Sequence, residues 1–386
     1  MTTFDLSEVH TIKDLLGQLE ASKIDHDLGK VEQAFDYASQ VHAGELRKNG
    51  DPRSYHLLTT AAYLARLNLD TTSVICGLLH EVLEKDKTKL TEIDNKFGTE
   101  VAFIIDGLTN VKYQSEAFDT HNEDPANFRH LIMNSVDDIR VLLVRLANKL
   151  HNVQSLDVLK PDRKQSQANK ILLIYAPLCE YLGLGQFQSI FETLAFKALK
   201  PEEYKLISDH IAKLGKDLRI EIDALAKQLS DFGNKYNLQV HDISSRTKNV
   251  YSTYRKLKRK CLQPGEQITE EHLAKIKDLL GIRVIVETVE QCYVLLGLIH
   301  ENWKHLPEEF DDYISKPKIS GYKSIHTVIN FGETPVEIQI RTSEMHEYNE
   351  FGPASHIAYK LQSQNNQKAD HTWTKDLLKW KQGKLT

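Results

Sequence analysis

The chain has 386 residues, 41% of them hydrophobic and 27% charged, with only 18 Gly and 10 Pro. At roughly 100–200 residues per domain that leaves room for two or three domains and excludes a disordered, collagenous or low-complexity polymer. Forty-nine Lys and Arg against 54 Asp and Glu give a net charge of −5, which excludes a globally basic surface for duplex nucleic acid.

No stretch approaches the roughly 18 consecutive apolar residues of a membrane span; the longest runs are short, as in Val101–Ile105. Met1–Asp5 lacks the basic and apolar regions of a secretory signal, so the expectation is a cytoplasmic protein with no membrane partner. From the start to about Lys200 the pattern is helical, with apolar residues at three- and four-residue steps through Val31, Ala34, Phe35, Ala38 and Val41, and again through Val74, Leu78 and Val82. Gly98 and Gly107 are expected to stop helices and Pro125 to open one. Residues 201–237 read as a polar helical linker. Beyond Gly233 the period changes: a strand is expected to start at Leu238–Val240, another at Ile282–Val286, and Pro335–Thr342 alternates Val336, Ile338 and Ile340 with Glu337, Gln339 and Arg341. Helices are expected at Asn249–Cys261, Val289–Trp303 and Ser343–Lys360, and Asp370–Lys384 reads as a helical tail. Strands alternating with helices after an all-helical half predict an α+β chain, all-α first and mixed α/β second. Cys76, Cys179, Cys261 and Cys292 form no C-x-x-C pair and read as reduced thiols.

Two constellations carry chemistry. In the helical half, His56, the pair His80-Glu81, Glu84, and the run Asn148–Asn152 combine imidazoles with acids, the donors that surround divalent metals. The zinc-protease pattern H-E-x-x-H is not met, because Glu84 stands where the second His belongs. In the second half, the run from Arg246 to Lys260 holds seven basic residues and no acid. On a helix, Lys248, Ser252, Lys256 and Lys260 form one stripe, and Val250, Tyr254, Leu257 and Cys261 an apolar one able to pack on a sheet. Like charges at that spacing repel unless an anion sits on them; a polyphosphate meets that need, and a solvated or nucleic-acid-binding face is the plainer alternative. Asp278 precedes one strand and Glu337 opens another; if those strands are neighbours, both carboxylates can face one magnesium ion. Lys316–Thr327 adds cations, a glycine and Tyr322 as a ring on which a purine can stack.

These motifs resemble the RelA/SpoT family from about His42 to Lys360. His42–Gly50, His56, His80 and Arg145–Asn152 are similar to its HD-type hydrolase domain, which removes the 3′-pyrophosphate of guanosine tetra- or pentaphosphate with manganese. The family's metal ligands fall on His56, His80, Glu81 and Asn148, and its catalytic Glu-Asp pair on Glu84 and Lys85. Asn148 lacks charge and Lys85 reverses it, so manganese is not expected to bind well and the domain is expected to be hydrolytically dead. Val240–Lys360 resembles the family's synthetase domain, a nucleotidyltransferase-like fold. The resemblance implies ATP contacts at Arg246, Lys248, Ser252 and Lys256, magnesium and catalysis at Asp278 and Glu337, and GTP contacts at Lys318, Tyr322, His326 and Gln339. Ser320 departs from the family's usual Asn. Glu309-Phe310-Asp311-Asp312 matches the E-x-D-D of synthetase-only members. The expected layout is an HD-type domain over 1–200, the linker 201–237, a pyrophosphokinase domain over 238–362 and the tail 363–386. The expected function is pyrophosphate transfer from ATP to the 3′-hydroxyl of GTP or GDP; a hydrolase-led enzyme and a non-catalytic nucleotide sensor are the alternatives. A ribosome contact belongs only to a longer chain, and oligomeric state is left open.

Overall fold

The computed structural model describes residues 6–22, 24–117, 138–263, 265–318 and 320–351, with backbone alone at 87 and 110–117. The chain divides into two compact units between Cys179 and Glu180, earlier than the limit expected near Lys200. Pro125 and the tail helix Asp370–Lys384 lie outside the described residues.

The first unit is helical: α1 (Ile12–Glu20), α2 (Leu28–Val41), α3 (Arg53–Arg66), α4 (Thr71–Leu79), α5 (Val82–Lys85), α6 (Leu90–Phe97), α7 (Thr99–Ala117), α8 (Ile139–Gln154) and α9 (Pro161–Lys170). A π turn, Ile171–Tyr175, leads into α10 (Ala176–Tyr181), where the units divide. Side chains of Thr11, Asp27, Asp70 and Asp138 accept first-turn N–H groups that would otherwise lack partners. The central helix is α3, buried on every side from His56 to Ala65 and packed between α4 and α8. A helix enclosed in this way delivers even its polar residues to the interior. Gly98, at φ +95°, ends α6 as expected. Gly107 does not end a helix; it sits inside α7 because Val141 of α8 packs on it.

The second unit opens with α11 (Gly185–Leu199), α12 (Pro201–Asp217) and α13 (Arg219–Lys235). Among the described residues five strands follow, β1 (Val240–Thr247), β2 (Leu280–Val286), β3 (Asp311–Asp312), β4 (Ile325–Phe331) and β5 (Thr334–Thr342), in sheet order β1-β2-β5-β4-β3. The β2–β5 pair is parallel and the other pairs antiparallel. Between strands lie α14 (Val250–Lys260), α15 (Glu270–Ala274) and α16 (Val289–Asn302), and residues 343–351 are helical after β5.

One face of this sheet is apolar. Ile282, Val284, Ile325, Ile329, Val336, Ile338 and Ile340 pack there against Ile222, Leu225 and Leu229 of α13 and Cys292, Leu295 and Ile299 of α16. The segment 201–237 is therefore no mere connector. Its apolar side lies beneath the sheet and, through Ile207 and Ile211, against Leu257 of α14. The apolar stripe of α14 likewise packs on helices, with Tyr254 4.5 Å from Phe196 of α11, and not on the sheet as expected. Strand β4 was not expected; it begins at Ile325, within the run ending at Thr327 that was read for its cations, glycine and ring. Among the described residues, no helix is long and apolar enough to cross a membrane.

Candidate active site

The second face of the sheet is polar, and strand register sorts its residues into rows. Arg246 on β1 lies opposite Gly281 on β2, which lies opposite Glu337 on β5. The next row runs Ser244, Arg283, Gln339, His326. Directly opposed residues share a face, so β1, β2, β5 and β4 all contribute to one surface. The alternation of Glu337, Gln339 and Arg341 was correctly expected, yet this face is not simply solvated: Gln339 and Arg341 are each 2% exposed. Gly281 permits the close β2–β5 approach, since a Cβ there would lie 2.7 Å from the Glu337 carbonyl oxygen.

Just before β2, Asp278 is buried and lies against the basic segment. Lys248 donates to Asp278 Oδ2, and Lys256 Nζ lies 3.0 Å from the same oxygen. Lys256 and Lys260 also reach Glu309, each at 3.0 Å. Burial pushes the Asp278 carboxyl up, but the two lysines outweigh it and hold the group below its ordinary value. The protein's own acids thus compensate the lysine stripe, and an external polyphosphate is not required to relieve its repulsion. Asp278 Oδ1 is buried with no hydrogen-bond partner, an orphan that a hard cation or a ligand donor would satisfy. Only Val250–Lys260 is helical. Arg246 belongs to β1, and Lys248 precedes the helix cap Asn249, whose side chain accepts from the Ser252 N–H at 3.1 Å. The stripe is therefore assembled from a strand end, a loop and a helix.

Glu337 is held by neighbours on its own sheet face. His326 Nδ1 lies 3.2 Å from its Oε1, and Gln339 Nε2 donates to Oε2 at 3.0 Å. Burial raises its pKa, but His326, Arg246 and Lys248 pull it down to about 2. Lys248 thus acts electrostatically on both Asp278 and Glu337. Tyr322 Oη lies 2.8 Å from His326 Nε2, and Lys318 Nζ lies 5.1 Å from the Tyr322 ring centre. Gly321, at φ +78° and against Tyr348, makes the turn that presents Tyr322. Sequence reading missed two features: the Glu309 bridge to Lys256, and Glu350, which binds Arg283 at 3.3 Å and Arg341 at 3.1 Å. Neither has a local signal, because the three pairs join residues distant in sequence or separated by a strand end.

The helical unit does gather His56, His80 and Glu81, with ligand atoms within 4.8 Å of one another. His56 Nε2 is 3.1 Å from His80 Nε2 and 3.7 Å from Glu81 Oε1. Burial keeps both imidazoles below the usual histidine range. The remaining positions differ in kind. Glu81 accepts from Arg53 Nε at 2.6 Å, and Asn148 Oδ1 accepts from Asn152 at 2.6 Å. Lys85 pairs with Glu45 at 2.7 Å instead of supplying an acid. Three donors thus suit a divalent ion, while the fourth position adds no charge. His151, unassigned from sequence, stacks on His56 with Nδ1 atoms 2.7 Å apart. A cavity of about 280 Å³ is lined here by Arg47, Arg53, Arg145, Glu81, Glu84 and Asn148, among others.

A family model described as the region found in RelA / SpoT proteins matches residues 245–364, and an HD-domain model matches 34–185. A GTP pyrophosphokinase from Myxococcus xanthus is 36% identical over 367 residues, covering 93% of this chain and 47% of that protein. A GTP pyrophosphokinase rsh from Brucella ovis is 35% identical over 348 residues, 90% of this chain and 45% of the relative. A guanosine-3′,5′-bis(diphosphate) 3′-pyrophosphohydrolase from Aquifex aeolicus is 35% identical over 363 residues, 92% and 49% respectively. The chain spans about half the length of the curated relatives it matches. With an HD domain ahead of the RelA/SpoT region and these likenesses along both, the chain belongs to the RelA/SpoT family.

Proposed function

We propose that the sheet unit transfers pyrophosphate from ATP to the 3′-hydroxyl of GTP or GDP. The observation that carries the reading is Asp278, with one carboxylate oxygen held by Lys248 and Lys256 and the other buried without a partner. Arg246, which has no ion pair among the described residues, joins these lysines as a cationic wall for the ATP phosphates, with Ser252 beside them on α14. Asp278 Oδ1 and Glu337 are the oxygens that would hold magnesium, which when bound offsets phosphate charge. A Glu337 carboxyl near pKa 2 is a poor proton store, so its role is to accept a hydrogen bond from the 3′-hydroxyl and aim it. That suffices for a loose phosphoryl transition state, in which positioning outweighs early deprotonation. Lys318, Tyr322, His326 and Gln339 would surround the guanine nucleotide.

The helical unit is read as non-hydrolytic. The neutral Asn148, the Arg53 clamp on Glu81 and the cationic Lys85 all support this. Labelled ATP with GTP and magnesium, and separately guanosine tetraphosphate with manganese, test both halves. The expected result is AMP and a 3′-pyrophosphorylated product in the first mixture and no pyrophosphate in the second. Pyrophosphate release in the second without synthesis in the first would reverse the assignment. Cytoplasmic location and any ribosome contact remain proposals of family membership alone.

A further inference from the structure

Three side chains on the polar face form a line of contacts: Tyr322 Oη is hydrogen-bonded to His326 Nε2 at 2.8 Å, and His326 Nδ1 lies 3.2 Å from Glu337 Oε1 as an ion-pair contact. The line has a direction. An ionised carboxylate only accepts, so Nδ1 carries the imidazole proton, and Nε2 is left to accept from the tyrosine hydroxyl. Gln339 Nε2, at 3.0 Å from Oε2, holds the carboxylate from its other side. Glu337 is thereby fixed in rotation as well as in place. The Tyr322 ring makes edge contacts with Tyr313 and His326, at 6.0 and 5.7 Å between centres, while its hydroxyl bonds the same His326.

We propose that the Tyr322 hydroxyl, acting through His326, positions the Glu337 carboxylate, so that the residue offering its ring to the guanine also sets the acid at the 3′-hydroxyl. This rests on the pyrophosphotransferase reading. Tyr322 and His326 are positioning residues in this role, and guanine occupancy is coupled to the aim of the acid by one line of polar contacts.

The test is a double-mutant cycle with Tyr322→Phe and His326→Asn. Phenylalanine keeps the ring and removes the hydroxyl. Asparagine keeps a donor near the Nδ1 position and loses the acceptor for tyrosine. Tyr322→Phe is expected to keep KM for GTP within about twofold, and each single variant to lose about tenfold in kcat. The double variant should lose no more than either single one, and Tyr322→Leu should raise KM as well. Unchanged kcat in Tyr322→Phe, or losses that multiply in the double variant, would overturn the proposal. Nitrogen NMR of the ligand-free protein, with His326 assigned by comparison with His326→Asn, supplies a readout independent of activity. The expected spectrum has the proton on Nδ1, and only Nε2 moves in Tyr322→Phe. A proton on Nε2 overturns the proposal even in active protein, whereas wild-type protein that forms no product overturns the transferase reading instead.

Discussion

The two polar clusters of this chain start from similar materials, acids and cations among histidines in a closely packed setting, and pair them differently. In the sheet unit the cations hold one oxygen of Asp278 and leave the other buried without a partner. In the helical unit Arg53 holds Glu81, Asn152 donates to Asn148, and Lys85 and Glu45 neutralise each other. Reactive capacity lies in the polar group whose demand the fold leaves unmet, more than in the count of polar groups assembled. A buried acceptor left without a partner, such as Asp278 Oδ1, is the group a ligand would satisfy.

Substitutions can break this contrast in order of severity. Asp278→Ala should reduce pyrophosphate transfer to background while thermal melting stays cooperative, as followed by product chromatography. Lys256→Ala should lower kcat about a hundredfold, because it removes both a phosphate contact and a support for Asp278. Lys85→Asp combined with Asn148→Asp should sharpen the comparison from the other side. Restoring negative charge around His56, His80 and Glu81 should tighten manganese binding about tenfold or more by calorimetry. Gly281→Ala should destabilise the sheet unit by about 1–3 kcal/mol in urea unfolding, since the new Cβ meets the β5 backbone. The smallest effect is acid sensitivity. Glu337 lies at about 2 in the folded chain against an ordinary 4.5, the pull of His326, Arg246 and Lys248 exceeding the effect of burial. Its contribution is complete above about pH 4.5 and fades as pH falls toward 2. Between pH 6 and 3 the wild-type urea midpoint should therefore fall more than that of Glu337→Gln.

Legibility differed between elements for physical reasons. Strand β5 was readable because strict alternation of Val336, Ile338 and Ile340 with polar residues has one structural solution. Strand β4 was not, because Ser324–Thr327 mixes small, apolar and ionisable residues, and Thr327 is buried among apolar neighbours where its hydroxyl meets His300 at 2.9 Å. Helices α12 and α13 carry enough charge to look like a connector, and only their packed sides, Ile207, Ile211, Leu225 and Leu229, reveal that they are core. Gly107 looked like a stop; contact with Val141 explains its place inside a helix.

What residue order alone determined was the inventory and its rough grouping: a helical half, an alternating half, two acids ahead of or within strands, and a cationic run. Period and charge are local properties, and a chain displays them without folding. Tertiary structure alone decided which strands are neighbours, so that Gly281 faces Glu337, and which lysine ends on which acid. It also decided that Asp278 keeps one oxygen unmatched. Those outcomes depend on register and on distances between segments dozens of residues apart, which no local pattern encodes.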